Sequence, residues 1–396
     1  MHAPDHPPPS WRRRALLRVG LAAAIGAPPG LQTSAHAARL LQVGPTRHIR
    51  SVAEAARLAT DGSTIEVDAG EYLADVAVWK ADGITLKAVG GRARMIAQGA
   101  AAEGKGIWVI RSKQMSVQGF DFEGARVPSR NGAGIRLETG RLQVKDCRFW
   151  HNEMGLLTNH DPACELDVTQ CEFSHNRRPD GHNHNLYVGR IARLSVTASY
   201  LHHASIGHLL KSRAAENHIR YNRLTDEAGG NASYELEFPN GGLAHVVGNI
   251  IAQGKGTDNI HLISYGAESY RWPRNEIHLV HNTLVNPLDE KGQFLRVARG
   301  ADKILSINNL LIGAGRLETA GTGEFAGNLS ADERDFADAG AHDYRLLASS
   351  RLVGRAAALA ASIAPDLRPR REYAHPAGDR PLAGAAHNPG AMQSTA

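Results

Sequence analysis

Hydrophobic and polar positions follow one repeat over most of the chain. The segments SVQGFDF (from Ser116), QVKDCRF (from Gln143), DVTQCEF (from Asp167) and SVTASYL (from Ser195) share it with HIRYNRL (from His218), HVVGNII (from His245), HLVHNTL (from His278) and LSINNLL (from Leu305). In most of them an apolar residue is followed three positions later by a small or polar one, and two further on by another apolar residue. The small or polar positions are Cys147, Cys171, Ser199, Asn222, Asn249, Asn282 and Asn309, spaced by 24, 28, 23, 27, 33 and 27 residues. A period in the twenties, rich in β-branched residues and without helical spacing, predicts one coil of about three short strands per repeat. Asparagine suits a recurring corner because its side chain bonds the turn backbone and tolerates a left-handed conformation. Stacked copies would bond one another as a ladder. Cys147 and Cys171 share that corner one coil apart and read as two stacked buried thiols.

Before the repeat, Val52, Ala55 and Leu58 recur at helical spacing between Ile49 and Ala59, which predicts a short amphipathic helix. Asp61-Gly62 ends it, and Thr64 to Tyr72 and Gly83 to Lys87 follow as strands. This opening, with its Gly70-Glu71-Tyr72 turn, resembles that of the right-handed parallel β-helix proteins of the pectin-lyase-like superfamily. The resemblance implies an all-β, right-handed parallel β-helix with an N-terminal capping helix, the cap covering about residues 45–75. After Asn328 the repeat fades, Asp343 to Leu347 offers a last strand, and the tail from about 340 to 396 resembles those that fold back along such rods. Residues 38–396 read as one domain.

Composition adds a destination. Arg12, Arg13 and Arg14 precede an apolar run, Leu21 to Gly26, and Ala35-His36-Ala37 is a small-x-small cleavage pattern. Residues 1–37 therefore read as an export signal of twin-arginine-like or general secretory type, and the expected location is periplasmic or secreted. No later stretch approaches the ~20 apolar residues of a membrane span. The formal charge of +5 falls to +2 once the signal's four arginines and Asp5 are removed, leaving 41 basic and 39 acidic residues. That balance gives no case for nucleic acid. A monomer is expected, and three cysteines are too few for a disulfide framework.

The candidate chemistry lies between Gly181 and Gly241, where HNLYVG, HLLKSRA and YELEFPNG read as strands of successive coils. Alternation turns Leu186, Val188, Leu210, Ser212, Leu236 and Phe238 inward. It turns Asn185 and Tyr187, Lys211 and Arg213, and Glu235 and Glu237 outward. With strands ~4.8 Å apart, Asn185, Lys211 and Glu235 would form one column and Tyr187, Arg213 and Glu237 another. His261 and Tyr265 in the next coil and Arg296 one further would extend the face. His184, His208 and Asn240 flank it in loops. His182-x-His184, close to Asp180, is a weaker metal pair. A long insertion carrying Arg271, Trp272 and Arg274 would wall the groove.

Lys211-Ser212, followed by Asn217-His218-Ile219-Arg220-Tyr221-Asn222, is similar to the lysine segment of the alginate lyase and chondroitinase B family of β-helix enzymes. The resemblance implies a lyase acting on a uronate-containing polysaccharide by β-elimination. It makes Lys211 the base for the C5 proton, assisted by an arginine, with calcium on the uronate. The calcium ligands here would be Glu235, Glu237 and Asn185. The residues themselves supply a base, a carboxylate holder in Arg213 and an acid in Tyr187 or His208. Asn185, His184, Asn240, His261, Tyr265 and Arg296 would contact the sugar. Two other readings stay open: a glycoside hydrolase or C5-epimerase in the same groove, using Glu235 and Glu237 as an acid–base pair, and a non-catalytic carbohydrate-binding rod.

Overall fold

The structure is a computed structural model that describes residues 39–178, 181–257, 259–288, 292–319 and 321–396. The segment read as an export signal lies outside the described residues. Among the described residues, strands of successive coils pair in parallel, as a parallel β-helix requires. One sheet has ten strands. Another, with 21, joins the two remaining sides of the coil. The join is made near the N-terminus by the long strand Ile84–Ile96, which pairs with both Gln114–Gln118 and Phe120–Glu123. It bends at Gly90 and Gly91, both at positive φ, where glycine carries no Cβ penalty.

The capping helix is small, Val52–Leu58. Ser51 caps it by accepting from the Glu54 amide, and the Asp75 carboxylate accepts from the Val52 and Ala53 amides at 2.6 and 2.8 Å. A negative group there complements the helix end. Val52 and Ala55 cover the open end of the coil, whereas Leu58 is exposed. Inside, aromatic rings stack along the rod: Phe122 on Phe149 at 5.0 Å and Phe149 on Phe173 at 4.6 Å, with Trp108 edge-on to Phe122. Each such ring removed from water stabilises the coil by about 1.5–3 kcal/mol.

The asparagine corner forms the expected ladder. Asn222 donates to Asn249, Asn249 to Asn282 and Asn282 to Asn309, each at 3.0 Å, and Asn309 donates to Asn328 at 2.8 Å. The left-handed residue is not the asparagine but the one before it: Tyr221, His281 and Asn308 all have φ between 53° and 58°. Asp146, Gln170 and Ala198 repeat this before Cys147, Cys171 and Ser199. The ladder bonds hold a backbone state that costs a non-glycine residue about 1–2 kcal/mol. All three cysteines are free and buried.

The tail folds back along the rod. Asp366 accepts from Arg220 at 2.8 Å and lies 2.7 Å from His245 Nδ1; the Arg370 amide donates to the Tyr221 hydroxyl. Further on, the Gly390 amide donates to the Asn308 carbonyl and the Ala391 amide to Thr283 Oγ1. Asp343–Leu346 is a strand, paired antiparallel with Phe336–Asp338. Among the described residues no helix is long and apolar enough to cross a membrane.

Candidate active site

The ten-stranded sheet carries the candidate site on Leu186–Val188, Leu210–Ser212, Leu236–Phe238 and His261–Tyr265. Leu186, Leu210, Leu236 and Ile263 share one register position and point into the core. The next position outward is Tyr187, Lys211, Glu237, Ser264 and Arg296. The predicted columns are therefore corrected: Lys211 stands between Tyr187 and Glu237, not between Asn185 and Glu235. The turn after the lysine strand, residues 213–215, is one residue shorter than its neighbours 189–192 and 239–242. Matching the outward residues in sequence order sets Lys211 beside Asn185 and Glu235, two residues from its true neighbours, and the shorter turn moves the lysine strand by only one.

Three outward assignments also change. Asn185 lies before its strand and is fully buried, accepting from Asn176 at 2.9 Å and donating to the His202 carbonyl at 2.8 Å. Glu235 is fully buried as well, and the charge that bears on it is Asp226. Tyr265 shares the register of inward Phe238 and donates its hydroxyl to the Gly242 carbonyl. Glu235 and Glu237 are thus not a pair on one face.

What does converge is a charged cluster under a loop. Lys211 Nζ lies 2.8 Å from Glu237 Oε2 and 3.1 Å from Glu268 Oε1. Arg213 donates to both oxygens of Glu268 at 2.7 Å and to the Tyr187 hydroxyl at 2.9 Å, its guanidinium lying over the Tyr187 ring. Trp272, from the same loop as Glu268, donates its indole N–H to the Arg213 carbonyl at 3.1 Å. The insertion does cover the column, but through Glu268 and Trp272; Arg274 pairs instead with Glu276. Glu268 escaped the sequence reading. Its signal was the 33-residue spacing between Asn249 and Asn282, the longest in the repeat.

His208 lies beside the lysine. Its Nδ1 is 3.2 Å from the same Glu237 Oε2, and its ring packs between His184 and Tyr234. Burial pushes the His208 pKa down; Glu237 opposes that, Lys211 and Arg213 add to it, and the result stays below the ordinary value. The ring is therefore neutral at neutral pH. Burial pushes Glu237 up, but His208 and Lys211 outweigh it and hold the carboxyl below its usual range. Glu268 is likewise lowered, burial being outweighed by Arg213 and Lys211. His184 is buried, well below its ordinary value, and accepts from the His208 amide at 2.9 Å.

The remaining predicted contacts are dispersed. Arg296 is exposed at the end of the column. His261 is half-buried at the start of its strand, 2.9 Å from Asn259. Asn240 is buried and donates to the Ser269 carbonyl at 3.4 Å. His182 is exposed and His184 buried, and Asp180, thought to join them, lies outside the described residues. The calcium set does not fit: Glu237 faces outward, while Glu235 is buried inside the corner and Asn185 is closed by its own amide bonds.

Comparison with known proteins supports the architecture. No protein-family model matches the chain, and no curated protein matches its sequence. Among solved structures it is similar to pectate lyase Pel9A, with a TM-score of 0.55 and 11% identity over 90% of this chain and 96% of that one. The likeness is one of fold. An alginate lyase from Paenibacillus sp. str. FPU-7 aligns over 74% of this chain and 99% of its own, with a TM-score of 0.45 and 11% identity.

Proposed function

We propose that the chain is a polysaccharide lyase acting on a uronate-containing polymer by β-elimination. The observation that carries this is Glu268: Lys211 and Arg213 already hold a carboxylate between them, at 3.1 and 2.7 Å. A uronate carboxylate entering the groove would take its place, and a charge-assisted Arg–carboxylate contact is geometrically selective. Binding there stabilises the negative charge that grows on the carboxylate as the C5 proton leaves. The resemblance makes Lys211 the base. Because Lys211 donates to Glu268 and lies 2.8 Å from Glu237, its charge is engaged by two carboxylates, and we assign it with Arg213 to the clamp. We assign the base to His208, whose neutral ring is held between His184 and Tyr234 with Nδ1 3.2 Å from Glu237. Tyr187, held by Arg213, would donate to the leaving oxygen. The fold shared with a pectate lyase and the export signal read at the N-terminus both fit a polymer met outside the cytoplasm.

A hydrolase has one observation in its favour. Glu237 and Glu268 both touch Lys211 Nζ, so their oxygens lie within about 6 Å of each other, near the ~5–5.5 Å of retaining glycosidases. Such a pair needs one carboxyl raised so that it stays protonated, and both here are lowered. Elimination is the better reading.

The test is ultraviolet absorbance of unsaturated uronate ends, with mature protein on alginate, pectate, glucuronan and hyaluronan. We expect product from at least one polymer. His208→Ala should lower kcat by roughly 10²–10⁴-fold, while Lys211→Ala should mainly raise KM. New reducing ends without absorbance would establish the hydrolase instead. Polymer retention without new ends would leave a binding rod.

A further inference from the structure

Behind the outer column lies a corner with a different chemistry. Glu235 is fully buried, and apart from its own backbone amide neither carboxylate oxygen meets a donor. Asp226, across the turn, is 5% exposed. Its Oδ2 accepts from the Ala232 amide at 2.5 Å, but its Oδ1 has no partner. Gln253 occupies the position after Ala252 one rung on, as Asp226 does after Thr225. It is 4% exposed, donates its amide to the Asn259 carbonyl at 2.6 Å, and leaves Oε1 unpartnered. Among the described residues, Asp226 and Gln253 thus each keep an oxygen to which nothing donates, and Glu235, close enough to feel the Asp226 charge, receives only its own amide. A buried polar atom without a partner destabilises the fold, and an unpaired charge does so more.

The corner opens on solvent. Asp226 and Gln253 line a groove of about 750 Å³ on the far side of the turn. The backbone closes over Asp226: a Cβ placed at Gly230 would lie 2.2 Å from Oδ1. Oxygen-only donors with two carboxylates and an amide carbonyl are the chemistry of a hard dication, which completes its 6–8 ligands with backbone carbonyls and water. We propose that Asp226, Glu235 and Gln253 bind one such cation, of the calcium class, inside the coil corner and entered from this groove. The proposal is independent of the uronate reading, because the corner uses neither Lys211 nor Glu237. With no cation, burial raises both carboxyls, Asp226 to about 7 and Glu235 well above its ordinary value. The competing occupant of the corner is therefore a proton.

The experiment is calorimetric titration of calcium chloride into mature protein stripped with a chelator, with thermal unfolding measured on the same samples. One binding event and a rise in Tm are expected. Glu235→Gln and Asp226→Asn should each weaken binding at least tenfold and abolish the Tm rise. Both replacements keep the side-chain shape and remove a buried acid, and circular dichroism checks their fold. Glu237→Gln, on the outer column, should bind calcium as the parent does. No heat and no Tm change in the parent would overturn the proposal, leaving a protonated acid pair. So would retention of binding by Glu235→Gln, or its loss in Glu237→Gln, which would put the ion on the outer face.

Discussion

Asn185 and Glu235 each stand one residue before the matched strands Leu186–Val188 and Leu236–Phe238, two coils apart, and both are sealed from water. Their surroundings differ. The Asn185 amide both accepts and donates, and it continues a chain in which Asn152 donates to Asn176 and Asn176 to Asn185. Glu235 has two acceptors, and only its own amide donates to them. An amide carries donor and acceptor without charge, so stacked copies satisfy one another. A carboxylate carries acceptors alone, so it needs a proton or a cation from outside the stack. The interior of this coil is thus tolerant of polar side chains in general and intolerant of one kind.

The strongest way to break the comparison is to damage the satisfied side. Asn249 Oδ1 accepts from the Asn222 backbone and side chain, and its Nδ2 donates to Ile219 and Asn282. Asn249→Ala strands partners on both neighbouring coils. With about 1–3 kcal/mol for each buried group left unpaired, a loss of about 3–5 kcal/mol is expected, read as a fall in the urea midpoint. A loss below about 1 kcal/mol would mean that the ladder is ornament and the apolar core alone sets the stability.

A histidine sharpens it by changing sides with pH. His281 is buried, its Nδ1 3.0 Å from the Asn388 carbonyl and its Nε2 accepting from Asn308 at 2.9 Å. Neutral, it is satisfied like the amides; protonated, it turns a donor toward a donor. Burial pushes its pKa from 6.5 down to about 4, against the opposing pull of backbone at Asn388 and Gly390. The unfolded chain then takes the proton first. Stability from this residue is full above about 6.5 and is lost as pH falls toward about 4, by about 3 kcal/mol. His218 and His278 are lowered to about 4 as well, so the acid limb of a urea-midpoint curve should be steep. His281→Gln should be flatter over that window; an unchanged slope would refute the assignment.

The repeat was legible in the sequence because each coil restates it: the polar corner and its flanking apolar positions recur from Cys147 to Asn309. The fold-back tail was legible only by resemblance. Register across the candidate site was not, since the turns between strand and corner vary in length and the outward pairs cannot be matched in order: Lys211 stands beside Tyr187 and Glu237, two residues on from Asn185 and Glu235. Alternation also fails before a strand begins, which is why Asn185 and Glu235 were read as outward when both are buried. Glu268 could not be placed at all, because a loop's length shows in sequence while its path does not. The pairing of Asp226 with Glu235 needed the turn between them to be folded.

The smallest effect on stability belongs to the outer column, where the same charges stand at the edge of water. Glu268 is 44% exposed at its side chain, and exposed ion pairs contribute about 0–1 kcal/mol. Glu268→Gln should therefore leave the urea midpoint within about 0.5 kcal/mol of the parent. Its consequence would appear in binding. The substitution removes the carboxylate that occupies the Lys211–Arg213 clamp, so an acidic oligosaccharide no longer has to displace it. KM for a uronate polymer should fall several-fold with kcat little changed, the pattern of a ground-state competitor taken away. A large loss of stability instead would make Glu268 a strut of the loop, and the contrast between costly charge inside the coil and cheap charge outside it would fail at the site where it matters most.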